Sequence, residues 1–200
     1  MFITLEGIDG SGKTTQSELL ANYLKQTRGE NNVILTREPG GTNFGEKIRR
    51  VLLKDDIDFV SELLLLTSMR YEHVQKIILP ALREGKIVIC DRFIDSTIAY
   101  QGYGFGIDLD LIKNLYKLIK IKRPDITFIL DIDVQTGLNR AKDKNKYEYM
   151  GIDFYSKVRK GLQEIALEES DRCNIIAKIE TKNDNQVHDE IIYKISDTEY

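Results

Sequence analysis

The sequence predicts a layered α/β fold in which a five-stranded parallel sheet is flanked by helices. Three observations carry this: five short apolar runs, amphipathic segments between them, and a strand, glycine-rich loop and helix at the start of the chain. The apolar runs are residues 2–5, 33–35, 87–90, 126–130 and 175–177. They show little polar alternation, which suits strands buried on both faces.

The intervening segments have helical periodicity. Leu19, Leu20, Tyr23 and Leu24 form one stripe, Phe44, Ile48, Val51 and Leu52 a second, and Leu111, Ile112, Leu115, Leu118 and Ile119 a third. Residues 187–195 read as a closing helix, and the hydrophilic stretch 142–149 reads as a mobile segment. Pro39, Pro80 and Pro124 are placed at element boundaries, where a missing N–H costs least. Alternating strands and helices imply right-handed crossovers and a ligand site beyond the carboxyl ends of the strands.

With 200 residues and no linker-like composition, the chain reads as one domain spanning 1–200. Its 29 basic and 32 acidic residues give a net charge of −3, so no global field draws it to nucleic acid or an anionic membrane. The longest apolar run, Leu63 to Leu66, is far too short to span a bilayer, and a cytoplasmic location is expected. Cys90 and Cys173 are too few for a disulfide framework and are expected to be buried, reduced thiols.

Three motifs carry chemistry. Gly7-Ile8-Asp9-Gly10-Ser11-Gly12-Lys13-Thr14 follows the first strand and opens a helix, as a phosphate-binding P-loop does. Its backbone N–H groups can turn toward phosphate oxygens, Lys13 can span the β- and γ-phosphates, and the Thr14 hydroxyl can ligate Mg²⁺. After the second strand, Thr36-Arg37-Glu38-Pro39-Gly40-Gly41-Thr42 offers an arginine fork to a phosphate dianion. After the third, Asp91 and Arg92 supply a carboxylate for Mg²⁺ and a charge for a transferring phosphoryl group. No Asn-Lys-x-Asp tetrad follows a later strand, which argues against a guanine-nucleotide switch.

Taken in order, the residue 6–15 loop Glu-Gly-Ile-Asp-Gly-Ser-Gly-Lys-Thr-Thr, Thr-Arg-Glu-Pro-Gly-Gly-Thr, and Asp-Arg-Phe-x-x-Ser-Thr-x-Ala-Tyr-Gln-Gly from residue 91 resemble bacterial thymidylate kinases, from residue 2 to about 165. The resemblance implies a three-layer P-loop fold with a short lid at about 140–150. It implies an enzyme that phosphorylates dTMP to dTDP with ATP and Mg²⁺, acting as a homodimer.

By the same resemblance, Gly7 through Thr14 and Arg140 would hold ATP, with Thr14 and Asp91 at the metal. Lys13, Asp91, Arg92 and Lys146 would be catalytic. Asp9 would accept the 3′-hydroxyl, and Arg37 would hold the acceptor phosphate. Arg70 would bond a thymine carbonyl, with Ser96, Thr97 and Gln101 meeting the remaining base edge, and Tyr100 would crowd a 2′-hydroxyl. Two departures stand out. Leu66 occupies the position where relatives stack a phenylalanine, leaving Phe93 or Phe105 as other aromatic candidates. The variable P-loop positions carry no basic residue, so charge neutralisation falls to the lid, where Lys144 and Lys146 replace the arginines of relatives.

Overall fold

The computed structural model describes residues 1–141 and 146–198. Its centre is a sheet of β1 (Phe2–Glu6), β2 (Val33–Arg37), β3 (Ile87–Asp91), β4 (Ile126–Leu130) and β5 (Cys173–Ile176). All pairings are parallel and the spatial order is β2-β3-β1-β4-β5. Every residue of β1 and β4 is buried, because helices cover both faces of the sheet. The chain leaves β1 for the far edge and later crosses back over it to β4, so the strand order reverses beside β1. Ligand clefts form at such a reversal.

On one face lie α1 (Lys13–Arg28) and α9 (Asp184–Thr198), which pack Leu20, Leu24, Val187 and Ile191 against Ile3 and Leu5. On the other lie α6 (Leu109–Leu118), α7 (Val134–Arg140) and α8 (Gly151–Glu168), where Ile112, Val134, Val158 and Leu162 meet Phe2, Val88 and Cys90. Phe2 and Ile3 point to opposite cores, as the two-residue period of a strand requires. Cys90 and Cys173 are both buried and unpaired. Among the described residues, no helix is long and apolar enough to cross a membrane.

The remaining helices frame the cleft. These are α2 (Asn43–Lys54), α3 (Phe59–His73), α4 (Leu79–Arg83) and α5 (Ile94–Thr97). A π-helical turn, Val74–Ile78, joins α3 to α4 without a break, and Leu79 N–H donates to the Val74 carbonyl. Pro80 therefore stands inside a continuous helical rod rather than at a gap in it. The wider turn preceding it leaves space for a ring that would crowd an ordinary α-turn. A second π segment, Ile98–Gly104, follows α5 and carries Tyr100 and Gln101.

Candidate active site

The strand register brings the predicted motifs into one row: Arg37 of β2 pairs with Asp91 of β3, which pairs with Leu5 of β1. The loop from Gly7 to Gly12 then rises from β1. Gly10 has φ 75°, and a Cβ there would come within 2.0 Å of the Gly137 carbonyl oxygen, so the loop packs backbone to backbone on α7.

Lys13 curls back over this loop, donating to the Ile8 carbonyl at 2.7 Å and to Ser11 Oγ at 3.2 Å. Burial, reinforced by the Arg92 charge, pushes its ammonium down to about 8. Thr14 donates its hydroxyl to Asp91 Oδ2 at 2.6 Å, while Asp91 Oδ1 is buried with no hydrogen-bond partner among the described residues. A hydroxyl oxygen beside an unpartnered carboxylate oxygen suits a hard divalent cation.

Arg92 adopts φ 66°, a left-handed conformation unusual for a side chain of this size. Its guanidinium donates to the Gly7 carbonyl at 2.9 Å and to Ser96 Oγ at 3.2 Å, and pairs with Asp9. The second Asp9 oxygen accepts from Tyr155 Oη at 2.6 Å. Burial pulls Asp9 upward, but Arg92, Lys13 and the Tyr155 hydroxyl outweigh it and hold the carboxyl below its ordinary value. Glu6, under the loop, accepts from Phe93 N–H at 2.7 Å and from the Ser96 hydroxyl. Burial and the neighbouring Asp95 charge push Glu6 up to about 7.

Two cavities open from this row. The larger, about 580 Å³, is lined by Gly10, Gly12, Lys13, Thr14, Arg37, Asp91 and Arg140. The smaller, about 130 Å³, is lined by Leu66, Arg70, Ser96, Thr97, Tyr100 and Gln101, and by Leu52, Leu53, Pro39 and Tyr147. Asp9, Glu38, Arg49 and Arg92 line both. Arg70 is 2% exposed, and four of its five N–H donors are taken within the protein. It donates to Glu38 at 2.5 Å, Thr97 Oγ1 at 2.9 Å and the Phe93 carbonyl at 3.0 Å, and also to Tyr116 Oη. His73 ties the same Glu38 to Thr36 through contacts of 2.9 and 2.8 Å.

Leu66 does line the small cavity, as an aliphatic wall. Neither Phe93 nor Phe105 lines it. Phe93 is buried edge-on against Phe2, with ring centroids 5.0 Å apart, and Phe105 stacks on Phe59 at 4.1 Å. The aromatic walls are Tyr100 and Tyr147 instead. Arg37 is half exposed, paired with Glu46 at 3.0 Å. Lys146 lines neither cavity and is ion-paired with the buried Glu62. Lys144 lies outside the described residues.

Sequence reasoning missed Arg49, Glu38, Glu62, Tyr147 and Tyr155. Arg49 donates to the Pro39 carbonyl at 2.9 Å and faces both cavities from α2, but beside Ile48 and Leu52 it reads as a solvated helical charge. Glu62 falls in the first turn of α3, where an acidic residue is expected for the helix dipole alone. Glu6 did leave a signal, as the one charge in a strand that is otherwise uncharged.

The comparisons with known proteins agree with one another. The thymidylate kinase family model matches residues 5–191. A thymidylate kinase of Wolbachia pipientis wMel is 76% identical over 196 residues, covering 98% of this chain and all of that protein. One from Ehrlichia chaffeensis is 55% identical over 197 residues, covering 96% and 97%. The crystal structure of a thymidylate kinase from Ehrlichia chaffeensis superposes with a TM-score of 0.83 at 50% identity, covering 98% of each chain. With its five-stranded parallel sheet and P-loop nucleoside monophosphate kinase fold, the chain belongs to the thymidylate kinase family.

Proposed function

We propose that this cleft moves the γ-phosphoryl group of ATP onto the 5′-phosphate of dTMP, giving ADP and dTDP, with the donor in the large cavity and the acceptor in the small one. The observation that carries the assignment is the junction: Asp9, Glu38, Arg49 and Arg92 line both cavities, so two anionic ligands entering from opposite sides meet over two arginines.

The acceptor phosphate is an anion at neutral pH, so no strong general base is needed and catalysis rests on alignment and charge neutralisation. Lys13 and Arg92 neutralise the transferring group, Arg49 holds the acceptor phosphate at the junction, and Arg37, which lines only the donor cavity, reaches that phosphate from the donor side by leaving Glu46. Thr14 and Asp91 would hold Mg²⁺, which would supply further positive charge to the phosphates. Arg140 lines the donor cavity beyond the loop, where an adenine ring would pack against it. Arg70, fixed by four protein acceptors, meets a thymine carbonyl with little loss of side-chain entropy on binding. Ser96, Thr97 and Gln101 meet the rest of the base edge. Tyr100 crowds the sugar, and Asp9 keeps lone pairs for the 3′-hydroxyl beyond its bonds to Arg92 and Tyr155. Lys146 serves the transition state only if the ion pair with Glu62 opens, as closure of a lid at 140–150 over the nucleotides would require.

A homodimer fits the face of α2 and α3, where Val51, Val60, Leu64 and Tyr71 are exposed. The partners are then two nucleotides and a second copy, with no nucleic acid and no membrane. The two buried, unpaired cysteines fit the reducing cytoplasm. A coupled ADP-release assay with dTMP, dUMP, dCMP, dGMP, AMP and thymidine tests the assignment. The expected result is the highest kcat/KM for dTMP; comparable turnover of AMP or thymidine would sink it.

A further inference from the structure

Glu62 stands behind the acceptor cavity against Gln101, fully buried at 0% exposure, and nothing in the phosphoryl-transfer chemistry uses it. Its carboxylate collects donors from two distant segments. Oε1 accepts from Gln101 Nε2 at 2.8 Å and from Tyr147 Oη at 2.6 Å, and Oε2 is ion-paired with Lys146. Burial and the Glu62 carboxylate together push the Tyr147 hydroxyl well above its ordinary value, so it stays a proton donor.

This carboxylate fixes the orientation of its glutamine neighbour. It accepts hydrogen bonds and cannot donate, so of the two ends of the Gln101 amide only the nitrogen can face it. The amide oxygen is left without a hydrogen bond from any described residue, on a side chain that lines the small cavity. In a free glutamine the two ends exchange by rotation about one bond, and the pocket edge could offer either a donor or an acceptor.

We propose that Glu62 is a positioning residue for acceptor choice: it locks the Gln101 amide with its oxygen toward the ligand, so that the pocket demands a pyrimidine carrying a proton on N3. Thymine and uracil have that N–H, whereas cytosine presents a bare lone pair there and would meet the Gln101 oxygen acceptor against acceptor. The lock rests on the dTMP assignment and deepens it, with specificity arising from a group that never touches the base.

The test compares kcat/KM for dTMP with that for 5-methyl-dCMP, which keeps the methyl group and sugar but lacks the N3 proton and carries an amino group in place of the 4-carbonyl; the change at position 4 is common to wild type and variant and cancels when their ratios are compared. In Glu62→Gln the replacement amide can present either a donor or an acceptor, so Gln101 is free to turn over. The dTMP to 5-methyl-dCMP ratio is expected to fall about tenfold or more. If Glu62→Gln lowers both substrates equally, or leaves the ratio within about twofold, Glu62 is only structural and the proposal is overturned. Should that variant not fold, Glu62→Asp, which draws the carboxylate back from Gln101 by one methylene, is read the same way: a fallen ratio supports the proposal and a ratio within about twofold overturns it. Failure of the unmodified enzyme to phosphorylate dTMP would instead remove the functional assignment itself.

Discussion

On the donor side of the cleft, consecutive residues 7–14 supply the loop, its lysine and its hydroxyl; on the acceptor side, Arg70 alone is held by Glu38, Phe93, Thr97 and Tyr116, drawn from three separate segments. The donor site is local in sequence, and its lysine sits at an electrostatic cost. The acceptor site is non-local, and its charges are cross-braced into the core. Substitutions on the two sides should therefore fail in different ways.

The largest effect is expected from Glu38→Ala, which leaves Arg70 charged and buried beside His73. Removing one partner of such a pair costs about 3–5 kcal/mol. Denaturant unfolding should show a loss of that order, and a loss below about 1 kcal/mol would erase the contrast between the two sides. Lys13→Ala should behave oppositely. Turnover is expected to drop about 10²- to 10³-fold in single-turnover assays, with an unfolding midpoint unchanged or raised, because the variant no longer buries an ammonium.

The smallest effect is one of pH. Lys13 falls from its ordinary 10.5 to about 8 in the folded protein. Between those values the unfolded chain keeps a proton that the free folded protein has lost, so this group makes the fold more stable as pH rises. Phosphate binding runs the other way, since it needs the charged form. The Kd for ATP should rise about tenfold per pH unit above roughly 8, with net proton uptake on binding in calorimetry at pH 8.5. A flat Kd up to pH 9.5 would mean that Lys13 keeps its charge.

The same contrast explains what could be read from sequence. Five strands, the Gly7 to Thr14 loop and the row through Arg37 and Asp91 were legible because each is written in a few adjacent residues with a fixed period. The strand edges moved by only one or two residues, as with β5 starting at Cys173 rather than Ile175. The π segments were not legible, since no local pattern separates Val74–Ile78 from an α-turn. Glu38, Glu62 and Arg49 gain their meaning from partners distant in sequence or from cavities that exist only after folding. Leu66, singled out because an aromatic was expected, lines the small cavity as a plain aliphatic wall, and the rings beside it come from Tyr100 and Tyr147.

The tight seat of Gly10 bears on how such a loop can evolve. An arginine at position 10 would add the charge this loop lacks, yet its Cβ would land 2.0 Å from the Gly137 carbonyl oxygen. A Cβ at position 137 would in turn come 2.9 Å from the Asp9 oxygen, so the two backbones leave each other no slack. Admitting the arginine means first pushing back α7, the helix that carries Arg140 into the donor cavity. A basic residue at position 10 therefore comes at the expense of the seat of Arg140, so the two positions are coupled.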